Sequence, residues 1–200
     1  SLFIKKQSGN DINFKNVRVL STKEKIKKGT FHVDVLIPTL GRKEHLFNVL
    51  KDLSKQTVLP ERVIIVEQNG LKESVSELDY VNDDWPFEID HTFTHQLGAC
   101  NARNIALSKV TSNYVFFADD DIRFEKDLLE KSQEKINKFG TSCIVLSCLQ
   151  KGKHQKNTLT TQSGNFASGA SIVKFNLLEG MSFKKEHEFG YGEDSDFGMQ

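Results

Sequence analysis

NYVFFADDDI, residues 113–122, is the stretch that decides the fold. Tyr114, Val115, Phe116 and Phe117 are aromatic or β-branched and too apolar to face water on both sides, which predicts a buried strand. That strand delivers three adjacent carboxylates, Asp119, Asp120 and Asp121, at its carboxyl end. Adjacent acids repel one another, so the fold must offer them a cation or full solvation. In open α/β sheets, ligands bind beyond the carboxyl ends of the strands. The sharper reading is therefore a divalent metal carrying a phosphorylated substrate. The plainer one is a solvated turn capping a helix that starts near Lys126, since Asp is a favoured N-cap.

The surrounding sequence supplies the rest of a sheet. VDVLIP (33–38) reads as a first core strand, stopped by Pro38, which cannot donate to a ladder. Leu46, Val49, Leu50 and Leu53 recur at helical spacing and predict an amphipathic helix over about 43–56. RVIIVE (62–67) is a second strand, ending on Glu67-Gln68-Asn69-Gly70. A weak helix is expected around 72–80 and a short strand near 87–93. A helix over 97–109 is entered through Gly98, with Ala102, Ile105 and Ala106 inward. Beyond the acids come a charged helix at 126–139 and a buried strand, CIVLSCL, at 143–149. Such alternation predicts a parallel sheet covered on both faces, because parallel crossovers are usually helical. PTLGR follows the first strand where a dinucleotide fold would carry its Gly-rich loop, which argues against NAD or FAD. The lack of a Walker lysine motif argues against an ATPase.

Composition narrows the class further. The chain of 200 residues suits one domain, or one with an appendage, and has 27 basic and 27 acidic side chains. Such a balance gives no overall field towards nucleic acid or an anionic membrane. No run approaches the roughly 20 apolar residues of a membrane span. Cys100, Cys143 and Cys148 lack metal-type spacing. Cys143 and Cys148 are expected to be buried small hydrophobes, which points to a reducing, cytoplasmic compartment. His91 and His95 are read as loop residues, and His187 as a metal or acceptor contact beside the last motif.

After residue 150 the chain turns polar and rich in Gly, Ser and Thr, with strand-like pieces at 157–162 and 170–174. These predict a hairpin or loop layer laid against the sheet. The chain then closes on GYGEDSDFGMQ (190–200), where Glu193 and Asp194 open a helix whose positive end favours carboxylates. Alone, these acids read equally as N-terminal residues of a surface helix. Together with Asp119–Asp121 they suggest two groups of acids serving one cleft.

At this point the sequence resembles the inverting GT-A glycosyltransferases of family 2 and, locally, the β-1,4-galactosyltransferases. The matching pieces are VLIPTLGR, VIIVEQNG, GACNARNIAL, FFADDDI and GYGEDSDFGMQ, in the family's order across residues 33–200. The resemblance implies a Rossmann-like α/β fold, a mostly parallel sheet flanked by helices with a smaller mixed-strand acceptor layer. It implies a nucleotide-sugar half at 33–149 and an acceptor half at 150–200, behind an extension (1–32) of unassigned role. It further implies that Asp121 binds Mn²⁺ or Mg²⁺ directly, that Asp119 holds ribose or the metal's water shell, and that Asp120 adds field at the variable middle position. Thr39, Arg42, Glu67, Arg103 and Asn104 fall at positions lining the donor cleft. Asp194 falls at the catalytic base and Glu193 at an acid that binds the acceptor or orients the base. Galactosyltransferases place a third metal ligand, often His, beyond this motif, so a chain stopping at Gln200 is expected to be a truncated catalytic core.

The activity implied is transfer of a sugar from a nucleotide diphosphate, with UDP favoured, to a hydroxyl of a glycan or lipid-linked saccharide. A lipid-linked acceptor would bring the protein to the inner face of a membrane. Attack opposite the leaving nucleotide inverts the anomeric centre. The sequence leaves two rivals: a sugar nucleotidyltransferase on a similar sheet, and a non-catalytic carbohydrate-binding domain.

Overall fold

The computed structural model describes residues 30–147, 166–188 and 192–200. Its centre is a six-stranded sheet built from β1 (Val33–Leu40), β2 (Arg62–Gln68), β3 (Glu88–Thr94), β4 (Tyr114–Ala118), β5 (Cys143–Val145) and β6 (Ala170–Lys174). Across the sheet the order is β3-β2-β1-β4-β6-β5. β1 to β4 pair in parallel, while β6 runs antiparallel to both β4 and β5.

Side-chain alternation divides the core between the two faces. Val33, Val35 and Ile37 of β1, Val63 and Ile65 of β2, and Phe116 of β4 pack with α1 (Lys43–Leu53) and α3 (Leu128–Phe139). The intervening residues Leu36, Ile64, Val66, Val115 and Phe117 pack with α2 (Ala99–Leu107) and α4 (Glu193–Met199). Leu46, Val49, Leu50 and Leu53 form the buried stripe of α1. Each such side chain stabilises by about 1.5–3 kcal/mol relative to exposure. Phe183 and Phe197 stack at 4.1 Å between centroids and both meet Phe117 edge-on, which fixes α4 over the end of the sheet.

A buried ion pair closes the opposite end. The Asp34 carboxylate accepts from Arg62 (2.8 Å), from the Thr111 and Ser112 N–H groups (2.9 and 3.2 Å) and from the Ser112 hydroxyl (2.7 Å). Burial pushes this carboxyl upward, but the four donors outweigh it and hold the group below the ordinary carboxylate range.

Several expectations need correction. No helix forms at 72–80; the segment between β2 and β3 is a run of turns. Its polar groups are held elsewhere: Glu67 accepts the Ser76 hydroxyl and the Glu77 N–H, and Tyr80 donates its hydroxyl to the Lys43 carbonyl. Residues 170–174, expected in a separate layer, enter the sheet as β6 between β4 and β5. Of the run at 143–149, residues 143–147 are described, and they hold the three-residue edge strand β5, on which Cys143 is exposed rather than buried. His91 lies on β3 rather than in a loop. The helix expected from 126 starts at Leu128, so Asp119–Asp121 do not cap it. The proposed strand at 157–162, residues 1–29, Cys148 and Gly190 lie outside the described residues.

Candidate active site

β4 ends at Ala118, and the three following acids diverge. Asp120 turns back under β1, only 4% exposed, accepting the Thr39 hydroxyl at 2.6 Å and Arg42 Nη1 at 2.9 Å. Asp121 is about half exposed and takes the same Arg42 nitrogen at 2.6 Å. Asp119 faces the other way, towards α2, where Arg103 Nη2 donates at 3.3 Å. Partial burial pushes the Asp119 carboxyl above its usual range; Arg103 opposes that rise, while Asp121 and Asp120 add to it.

The backbone around residue 169 completes this corner. The Asp119 N–H donates to the Gly169 carbonyl at 3.3 Å. A Cβ on Gly169 would stand 2.0 Å from Asp119 Oδ2, so this position accommodates the carboxylate only as glycine. The neighbouring Ser168 N–H donates to Asp194 Oδ1 at 3.1 Å. Two adjacent residues thus touch both acid groups, 75 positions apart in the chain (194 − 119).

α4 is entered through Gly192 at φ 110°, a left-handed conformation that glycine adopts without strain. Glu193 and Asp194 occupy its first turn. The segment before it is fastened to α2 at two points. Asn104 uses both amide atoms on the Phe183 backbone, at 2.8 Å each. Glu188 accepts the Cys100 and Asn101 N–H groups at 2.9 and 3.1 Å, capping α2 where Gly98 leaves room for its carboxylate. Sequence reasoning did not find Glu188, Ser168 or Gly169, since each acts through a contact distant in the chain.

The other expected residues are placed as follows. Thr39 is buried, its hydroxyl on Asp120. Glu67 is buried at the end of β2, with Ser76, the Glu77 N–H and His91 Nε2 (2.9 Å) around its carboxylate. Arg103 is 7% exposed, its guanidinium 5.6 Å from the Phe183 ring centre, and its Nε and Nη1 have no hydrogen-bond partner among the described residues. His187 lies 4.0 Å from Asp196, which also pairs with Lys184 at 2.7 Å.

No group of three or more His, Cys, Asp or Glu able to hold a metal occurs among the described residues. The donor set available is the pair Asp119 and Asp121. Hard carboxylate oxygens in that number suit Mg²⁺ or Mn²⁺ bound jointly with substrate phosphates and water, so the residues fit such an ion.

The comparisons with known proteins give the family and the fold. The model of glycosyl transferase family 2 matches residues 34–192, and the chain belongs to that family. It is 33% identical over 98 residues to the uncharacterized glycosyltransferase YfnE of Bacillus subtilis, covering 48% of this chain and 25% of YfnE. It is 28% identical over 120 residues to the succinoglycan biosynthesis protein ExoM of Rhizobium meliloti, covering 58% of this chain and 38% of ExoM. The chain therefore spans well under half the length of these curated relatives. Among solved structures, S. aureus TarS 1-349 superposes with a TM-score of 0.66 at 18% identity, covering 84% of this chain and 54% of TarS. The Pyrobaculum calidifontis mannosyltransferase PcManGT, in complex with GDP-Man and Mn²⁺, gives 0.62 at 19% identity, covering 84% and 50%. These likenesses establish the GT-A fold.

Proposed function

We propose that this chain carries the catalytic core of a metal-dependent, inverting hexosyltransferase that moves a sugar from a UDP-sugar to a hydroxyl of a glycan or lipid-linked saccharide. The observation that carries the reading is the Ser168–Gly169 pair, which bonds the Asp194 carboxylate on one side and houses Asp119 on the other. The TarS structures with UDP and UDP-GlcNAc support the donor class, and the likeness to ExoM supports a polysaccharide acceptor.

Asp121 and Asp119 hold the divalent cation, which when bound offsets negative charge on the leaving diphosphate. Arg42 and Arg103 flank those acids and add positive charge on either side of the donor. Thr39, Asp120, Glu67 and Asn104 act on the donor through the groups they hold in place: Thr39 and Asp120 set Arg42, Glu67 orders the turns at 76–77, and Asn104 fastens the 183 segment to the helix bearing Arg103. Asp194 takes the proton from the acceptor hydroxyl as that oxygen attacks the anomeric carbon opposite the nucleotide, so the configuration inverts. Glu193, beside it in the first turn of α4, binds the acceptor.

A thermal-shift screen of nucleotide sugars with and without Mn²⁺ tests the reading. A ligand at 100 times its Kd stabilises by about 2.7 kcal/mol, an easily measured rise in Tm. The expected result is a shift with UDP-sugars that depends on Mn²⁺. No shift with any nucleotide sugar, or turnover of a sugar phosphate with a nucleoside triphosphate, would overturn it.

A further inference from the structure

We propose that Arg42 is a placeholder for the divalent cation, occupying the Asp121 carboxylate until metal and nucleotide arrive together. The proposal rests on the metal-binding reading above and adds the order in which the site fills. A single nitrogen, Arg42 Nη1, donates to Asp120 at 2.9 Å and to Asp121 at 2.6 Å. Asp120 is buried and also takes Thr39, so it anchors the guanidinium; Asp121 is half exposed and is the carboxylate that a cation would approach. The Arg42 side chain is itself half exposed, at the residue immediately before α1, so it has freedom to swing away.

The consequence follows from charge. With Arg42 on Asp121, an arriving Mn²⁺ must displace a cation already there, and metal alone binds weakly. A nucleotide diphosphate changes the balance. Guanidinium groups match phosphate oxygens in a bidentate fork, so the donor draws Arg42 off the carboxylate as it brings the metal in. Arg42 then serves the donor after release, and Asp121 is uncovered only when a diphosphate is present. A cationic residue that only binds donor and does not occupy these acids would change metal affinity in the donor's absence no more than the general loss of a nearby charge does.

Mn²⁺ titration of the whole chain, read by the EPR signal of the free ion, separates these cases. Without nucleotide, Arg42→Gln should bind Mn²⁺ roughly two- to fivefold more tightly than the parent, the range carried by one exposed ion pair such as Arg42–Asp121. Arg42→Lys, which keeps a cation in reach, should stay close to the parent. Lys43→Gln controls for net charge: Lys43 pairs with Asp79, so its loss should change Mn²⁺ affinity less than twofold. With UDP added, the order reverses and Arg42→Gln holds the UDP–Mn²⁺ pair more weakly than the parent. Should the parent bind Mn²⁺ with UDP while Arg42→Gln shows no tightening without it, or no more than Lys43→Gln, the placeholder is overturned and the metal site stands. If no protein binds Mn²⁺ even with UDP, both fall.

Discussion

Asp194 accepts the backbone N–H of Ser168 at 3.1 Å, and the residue after Ser168 is the glycine against which Asp119 rests. The acid after β4 and the acid opening α4 therefore share one piece of backbone, just before β6 crosses the sheet beside β4. The proposed sugar transfer needs a stabilised leaving group and an activated hydroxyl at one carbon, and in that reading this shared backbone would keep the two acid groups in register.

Gly169→Ala tests that packing. The new methyl would stand 2.0 Å from Asp119 Oδ2, so the carboxylate must move. Loss of a charge-assisted contact is worth about 1.5–3 kcal/mol, so UDP affinity measured with Mn²⁺ should fall roughly tenfold or more. Calorimetric titration of UDP checks it; parental affinity would show that Asp119 tolerates displacement.

Glu188→Ala removes the cap of α2. Loss of an N-terminal cap costs about 0.5–2 kcal/mol, and urea unfolding should show a loss in that range. Glu188→Gln, which keeps an acceptor oxygen, should lose less. Equal stability of Glu188→Ala and parent would mean that water caps Cys100 and Asn101 as well.

Asp34 sets part of the acid limit of stability. Its native carboxyl lies below the ordinary range, so the unfolded chain binds this proton first as pH drops. The contribution is fully present above the unfolded value of about 3.9 and disappears as pH falls through the lower native one. Asp34→Ala leaves Arg62 without its buried partner and should cost about 3–5 kcal/mol at neutral pH. Its unfolding free energy should also fall less steeply below pH 4, by about 1.4 kcal/mol per pH unit for one proton. Parallel pH curves for variant and parent would contradict the assignment.

Much of this architecture was legible because its signals are local. The apolar runs of β1, β2 and β4 and the Leu46-Val49-Leu50-Leu53 stripe name their own elements, although β1 runs on through Pro38 to Leu40 instead of stopping at the proline, and Gly192 with Glu193 and Asp194 announces α4. What escaped depends on partners far along the chain. Residues 72–80 carry a helical pattern, but Glu67 and Lys43 take up their polar groups and hold them in turns. CIVLSCL reads as a buried strand until β6 slips between β5 and β4 and leaves Cys143 at the edge. The Asp-Asp-Asp run shows charge without direction; only the ends of β1 and α2 decide that Asp120 turns inward and Asp119 turns towards Arg103.

In the proposed reaction the two acid groups divide the work, one holding the donor and the other activating the acceptor. Donor binding and turnover measured side by side in Asp121→Asn and Asp194→Asn test it most directly. With UDP, Mn²⁺ and the sugar donor found by the screen, Asp121→Asn should lose metal-dependent donor affinity. Asp194→Asn should keep that affinity while transfer falls by about 10²–10⁴-fold, the usual contribution of a general base. Transfer at the parental rate by Asp194→Asn, or unchanged metal-dependent affinity in Asp121→Asn, would contradict the account.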